Sequence, residues 1–208
     1  MSVADPQWLV GEVARSQERM DAALVSLTEP QVRAPSALPG WTRAHVLAHI
    51  AGNARTAAEM FDGYARGEEV AQYGGSASRR EAEIEADSHR SATALVELVR
   101  HTGARCLAAY RAMPDWDGTL QWQSGRWPVT RGPESRWREI EIHRIDLQLG
   151  YTPSDWPAEF VEFHLARELP RLPERAPDLA VPDLSPAQLL AWLFGRGGAG
   201  LPQLPPWG

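Results

Sequence analysis

Three ionisable residues in WREIEIHRIDLQLG, residues 137–150, have the types and spacing for chemistry: Glu139, His143 and Asp146. Wound as a helix at about 100° per residue, they fall on one arc between two apolar flanks. Ile142, Ile145 and Leu149 form one flank, Ile140 and Leu147 the other, while Glu141, Arg144 and Gln148 take the outer face. An amphipathic helix keeps such an arc for its most buried apolar residues. Ionisable groups buried there without partners are costly. Glu139 and His143 are four residues apart, so both side chains leave one face a turn apart. That pair suits a divalent ion such as zinc. It equally forms a Glu–His hydrogen bond inside a bundle, and this segment alone leaves both readings open. Asp146, three residues after His143, either accepts the second N–H of a ligand imidazole or anchors a neighbouring helix.

A second candidate lies in HVLAH, residues 45–49. Thr42 opens a helix here as N-cap, and the helix runs to about Arg66. Val46, Ile50, Ala57, Phe61 and Tyr64 define its apolar arc, with His49 and Asn53 inside or beside it and His45 nearer its edge. His49 is therefore the inward-pointing histidine of the two. By itself it reads as a hydrogen-bonded core histidine; with partners on another helix it becomes a ligand.

The elements that must position these residues follow from the periodicity. Residues 6–28 read as a first helix through Leu9, Val13, Met20, Leu24 and Leu27. The Pro-bearing stretch 29–40 reads as a loop, and 67–77 as a Gly- and Ser-bearing one. A long third helix is expected over 78–113, charged in its first part and apolar-striped in its second. Residues 114–133 read as a loop in which 120–123 and 126–130 can pair as a short hairpin. The fourth helix is the one containing His143, stopped by Gly150 at a C′ position. Four long amphipathic helices joined this way argue for an antiparallel four-helix bundle over 1–150. Beyond it, seven prolines between Pro153 and Pro186 break 151–208 into short pieces. Helices are expected at 158–169 and 187–194, one short strand near Leu179–Val181, and an extended tail, LPQLPPWG, packed against the body. The fold class is mainly α, with a short Pro-rich appendage.

Composition removes several function classes. The 208 residues carry a net charge of −6, which argues against a broad phosphate-binding surface and hence against nucleic acid as a partner. All basic side chains are Arg, so a Lys Schiff base and a Walker Lys are excluded. The single cysteine, Cys106, permits no intrachain disulfide. It reads as a small core residue rather than a nucleophile, because no cationic neighbour is evident. His89 and His101 read as solvated or structural. No apolar run approaches the ~18 residues of a membrane span, and the N-terminus lacks signal-peptide order, so a cytoplasmic location is expected. Several of the nine tryptophans fall in loops, where they either wall a pocket or pin the loops.

His49 within WTRAHVLAHIAGNA, and Glu139 with His143 within REIEIHRIDL, together resemble the mycothiol-dependent maleylpyruvate isomerase family, a branch of the DinB-like metal-binding bundles. The resemblance implies His49, Glu139 and His143 as ligands to a divalent metal, typically zinc, with His45 outside the set. Arg80, in RREAEI, is similar to an Arg near the start of the family's third helix. Arg196, in FGRGGAG, is similar to an Arg near the family's C-terminus that is linked to activity. Both imply catalytic roles; Arg196 also reads as a charge at a helix C-terminus. The stretch 170–186 looks too short for the family's usual C-terminal strands, so a reduced C-terminal region is expected, with a thiol as small as cysteine in place of mycothiol.

The resemblance implies a thiol-dependent cis–trans isomerisation of maleylpyruvate to fumarylpyruvate, a step in gentisate breakdown. The partners are then a small dicarboxylate and a low-molecular-weight thiol, mycothiol or cysteine, with no membrane and no nucleic acid. The physical logic is that thiolate addition turns a C=C bond into a rotatable single bond. A metal would deprotonate the thiol, and arginines would hold carboxylates as bidentate forks. The same ligand set also serves a metal-dependent thiol S-transferase, and a non-catalytic binding module is a third reading.

Overall fold

The structure is a computed structural model that describes residues 5–205. It divides into two compact units, Met1–Gln148 and Leu149–Gly208, and is mainly α. In the first unit four helices form the bundle: α1 (Pro6–Leu24), α3 (Arg43–Ala65), α5 (Ala92–Arg111) and α6 (Arg131–Asp146). Helix α3 packs on α5 and α6, and α1 packs on α5 and α6, which closes the four around one core. That core includes Met20, Leu47, Ile50, Phe61, Val99, Tyr110, Trp137 and Ile140, all essentially inaccessible.

The region expected as one first helix and a loop is instead α1 followed by α2 (Glu29–Arg33). Thr28 and Gln31 form a capping box, and Pro30 sits in the first turn, where no N–H is needed. The expected third helix is likewise two: α4 (Ala77–Ser88), laid on α3, and α5. Helix α2 causes the break. Arg33 donates to the carbonyls of Ser88 (2.6 Å) and Arg90 (2.6 Å), occupying the orphan acceptors at the end of α4. Glu29 accepts from the N–H of Ala92 (2.7 Å) and Ser91 from that of Ala94 (3.3 Å), which starts α5. The clamp is tertiary, so the apolar pattern along 78–113 did not reveal it.

The expected hairpin is present as β1 (Thr119–Trp122) and β2 (Gly125–Pro128), antiparallel with Leu120 opposite Trp127. Helix α6 starts six residues earlier than Trp137, within the stretch expected as loop. Its first turn approaches α3 so closely that a Cβ on Gly132 would lie 2.2 Å from Phe61 Cζ. It also ends earlier than expected. Gln148 adopts φ 50° and stops the helix, with Arg43 donating to the carbonyls of Leu147 and Gln148. Gly150, also at positive φ, lies beyond the stop. Two of the three residues expected on the outer face are buried as well, while Gln148 is exposed. Glu141 is 0% exposed and Arg144 8% exposed. Glu141 accepts from Ser16 Oγ of α1 (2.5 Å), Arg19 (3.2 Å) and Arg144 (3.2 Å). Helix α6 is thus wrapped by neighbours, and its buried polar groups are paired rather than solvated.

The second unit holds α7 (Ala158–Glu168), α8 (Leu172–Arg175) and α9 (Pro186–Leu193). Leu172, Trp192 and Leu193 form its core, covered by Leu165, Leu169, Leu179, Leu201 and Leu204. No strand forms near Leu179–Val181 among the described residues. Leu179 is a core plug between Pro177 and Pro182, and no second strand lies there to pair with it. Of the expected tail, residues 201–205 carry no helix or strand, and Trp192 Nε1 donates to the Pro202 carbonyl (2.7 Å). Residues 206–208 of that expectation lie outside the described residues.

Candidate metal centre

Helix α3 supplies His49 and helix α6 supplies Glu139 and His143. Arg136, one turn before Glu139, locks the two helices together. It is buried and donates to the Ile50 carbonyl (2.9 Å), Asn53 Oδ1 (3.0 Å) and Gln17 Oε1 of α1 (3.2 Å). These bonds set the register of α6 against α3 beside the ligands. Capping fixes α3 from the other end: Thr42 and His45 form a capping box, with the Thr42 hydroxyl 2.7 Å from His45 Nδ1. His45 Nε2 faces Glu85 at 3.3 Å. His45 is therefore a capping residue outside the cluster, as expected.

The two imidazoles converge on one carboxylate oxygen. His49 Nε2 lies 2.9 Å from Glu139 Oε2 and His143 Nε2 lies 3.4 Å from the same atom. The rings meet edge to face with centroids 4.6 Å apart. One ligand atom from each residue falls within 4.8 Å of the others. Donors about 2.0–2.2 Å from a tetrahedral ion would stand about 3.3–3.6 Å apart. The two nitrogen–carboxylate separations, 2.9 and 3.4 Å, lie close to that span, so the donor set fits a small divalent ion. Two histidines and one carboxylate leave a fourth coordination position for a water or a substrate atom.

The surroundings tune the three groups differently. Burial pushes the His49 imidazole down to about 4, against the opposing pull of the Glu139 hydrogen bond. Burial would also lower His143 and raise Glu139. Hydrogen bonds to Asp146 and Glu139 outweigh it and raise His143. Hydrogen bonds from the two imidazoles outweigh it and hold Glu139 well below the ordinary carboxylate range. His143 Nδ1 donates to Asp146 Oδ2 at 2.7 Å. That partner orients the ring and leaves Nε2 facing the cluster, the arrangement of metal-ligating histidines. Of the two roles open for Asp146, the structure gives it the imidazole; its backbone carbonyl also accepts from Ala37 N–H (2.8 Å).

Arg80, on α4, reaches the cluster: its Nη2 donates to His49 Nδ1 at 3.2 Å. No carboxylate pairs with Arg80 among the described residues, so the guanidinium keeps spare donors. Arg196 belongs to the second unit, after α9. Its N–H donates to the Ala191 carbonyl (2.7 Å) and its Nη1 to that of Phe194 (3.0 Å). This is the helix-terminus placement. Cys106 is buried and His89 and His101 are exposed, as expected.

Two residues of the surroundings escaped the sequence reading. Trp41, with its ring centroid 5.8 Å from that of His49, walls one side; its place before the Thr42 cap was the available signal. Tyr73 is buried on a turn expected only as loop. The YGG sequence marks a tight turn, but nothing in it directs the Tyr ring inward.

The fold and the cluster define a helical bundle with a His–Glu–His site suited to a divalent metal. The family model for the mycothiol maleylpyruvate isomerase N-terminal domain matches residues 13–148, and the chain belongs to that family. A crystal structure of the mycothiol-dependent maleylpyruvate isomerase is similar, with TM-score 0.86 and 24% identity over 100% of both chains. A crystal structure of a histidine-to-alanine mutant of a mycothiol-dependent maleylpyruvate isomerase gives TM-score 0.85 and 23% identity, again over 100% of both. No curated protein matches the chain significantly.

Proposed function

We propose that this protein is a thiol-dependent cis–trans isomerase of an unsaturated dicarboxylate, converting maleylpyruvate to fumarylpyruvate. His49, Glu139 and His143 would hold a divalent ion, zinc by the chemistry of the donor set. The observation that carries the reading is the convergence of both Nε2 atoms on Glu139 Oε2 beside an arginine without a carboxylate partner among the described residues. When bound, the ion supplies the Lewis acidity that keeps a small thiol, mycothiol or cysteine, deprotonated near neutral pH.

The chain's own residues do the rest. Asp146 keeps the proton of His143 on Nδ1, which leaves Nε2 free to coordinate. Without metal, His49 keeps its proton on Nε2 toward Glu139 and accepts from Arg80 at Nδ1. Coordination through Nε2 requires the proton on Nδ1, where Arg80 can no longer donate. Its fork is then available for a carboxylate. The thiolate adds to the double bond, the displaced electron pair moves to the carbonyl oxygen, and rotation follows about the new single bond. Return of the electron pair restores the double bond and expels the thiolate, so nothing is consumed. Arg80 balances the charge on the substrate throughout, and Arg196 is proposed to contribute to activity on its likeness to the family's C-terminal arginine.

The test is to follow the absorbance of maleylpyruvate with metal-loaded protein in mycothiol, cysteine and glutathione separately. Turnover with at least one thiol is expected. No turnover with any of the three overturns the isomerase reading.

A further inference from the structure

A buried hydroxyl without a hydrogen-bond partner among the described residues lies against helix α3. Tyr73 is 2% exposed, and its Oη has no hydrogen-bond partner among the described residues. The Thr56 hydroxyl, which donates to the Gly52 carbonyl at 3.1 Å, is the neighbouring hydroxyl that acts on the phenol, but it stands outside hydrogen-bond geometry to Oη. Leaving a buried hydroxyl unpaired is costly, and native interiors avoid it. The backbone adds a second cost. Tyr73 sits at φ 51°, ψ 31°, a left-handed conformation that bulky side chains rarely adopt. Strain of this kind persists where surrounding structure enforces it, and it concentrates at functional sites.

The strained turn brings the ring against α3, one turn from His49. Oη lies 3.3 Å from where a Cβ on Gly52 would stand. Gly52 follows His49 by three residues, so it shares that face of α3 one turn on. The missing side chain at Gly52 is the space Oη occupies. The charges of Arg80 and Glu139 both act on the phenol.

We propose that Tyr73 is a catalytic residue whose Oη donates a hydrogen bond to an oxygen of the bound acid, beside Arg80. The acceptor is a carbonyl or carboxylate oxygen of an unsaturated acid, on which negative charge grows when a thiolate adds. This rests on the isomerase reading for the identity of the acid. Tyr73 keeps its proton: burial pushes the phenol up to about 12, so it serves as a donor and not as a base. The unpaired hydroxyl and the strained turn then have a common cause, a partner supplied by the ligand. A preorganised donor of this kind stabilises developing charge strongly.

The test uses the full-length, metal-loaded protein and Tyr73→Phe, which removes only the hydroxyl. Maleate serves as a stable diacid probe, titrated calorimetrically. Maleate affinity is expected to fall about tenfold and thiol-dependent turnover about 10²–10³-fold, with metal stoichiometry unchanged. The melting temperature without ligand is expected to stay level or rise, because an unpaired polar group is removed. Gly52→Ala crowds Oη from α3 without touching the turn. It should weaken maleate binding in the parent but add little in the Tyr73→Phe background. Equal maleate affinity and turnover in Tyr73→Phe overturn the proposal. So does a lower melting temperature with turnover intact, which makes the hydroxyl structural. A parent that does not bind maleate overturns it too. A parent that binds maleate without isomerising any thiol-supplied substrate overturns the isomerase reading alone, and the affinity ratio still decides the role of Tyr73.

Discussion

Metal binding should release close to one proton at pH 6, and that proton should come from His143. The metal-free site fixes the count. His143 is raised above the ordinary imidazole range, because its hydrogen bonds to Asp146 and Glu139 outweigh burial, so it is the protonated imidazole of the pair in mildly acidic solution. His49, held near 4 by burial, is then only about 1% protonated. Glu139, held well below the carboxylate range, carries no proton. A zinc-bound water titrating near 7 would add about 0.1. The release is therefore expected near one proton per ion. Calorimetric titration of zinc into metal-free protein, in two pH 6 buffers of different ionisation enthalpy, reads the number directly. Release near two means that both imidazoles are protonated before binding. Release near zero means that His143 is not. Either refutes the assigned asymmetry. Asp146→Asn sharpens the test. It removes the carboxylate 2.7 Å from His143 Nδ1, so the release at pH 6 should fall. Metal affinity should fall with it by about 10–100-fold, or about 1.4–2.7 kcal/mol. An unchanged release and affinity would remove Asp146 from the site.

Four further outcomes are expected. Metal-free protein should lose stability as pH falls from about 6.5 to 4: the unfolded chain protonates His49 across that window while the folded one, at about 4, does not. That single group contributes about 3 kcal/mol, lost toward low pH, and urea melts of His49→Asn should show a shallower slope. Glu141→Gln should cost about 3–5 kcal/mol in urea unfolding, because it breaks an ion pair to Arg144 with side chains 0% and 9% exposed; a cost below 1 kcal/mol would make the pair dispensable. Gly132→Ala places a methyl 2.2 Å from Phe61 Cζ and should cost about 1–3 kcal/mol, partly recovered by Phe61→Leu; additive effects would deny the contact. Arg80→Gln and Arg196→Ala should each lower thiol-dependent turnover at least tenfold with metal content retained; unchanged kinetics in either would leave that arginine structural.

The sequence by itself determined the helical bundle and which way Glu139, His143 and His49 face. A carboxylate and an imidazole at i, i+4 face one way on any α-helix, and an apolar arc interrupted by Glu139, His143 and Asp146 can only point inward. His49 was legible for the same reason, since helical period is a local property. What tertiary structure decided is everything set by a neighbour. The break between α4 and α5 comes from Arg33 and Glu29, more than fifty residues away. Glu141 and Arg144 looked solvent-facing because the pattern of one helix cannot show that α1 covers its second face. The stop of α6 at Gln148 depends on Arg43 holding its carbonyls, where the pattern offered Gly150. Tyr73 was invisible because a positive φ on a bulky residue is imposed by packing and runs against its own preference. Local periodicity says which way a side chain points; only long-range contacts say what it meets there.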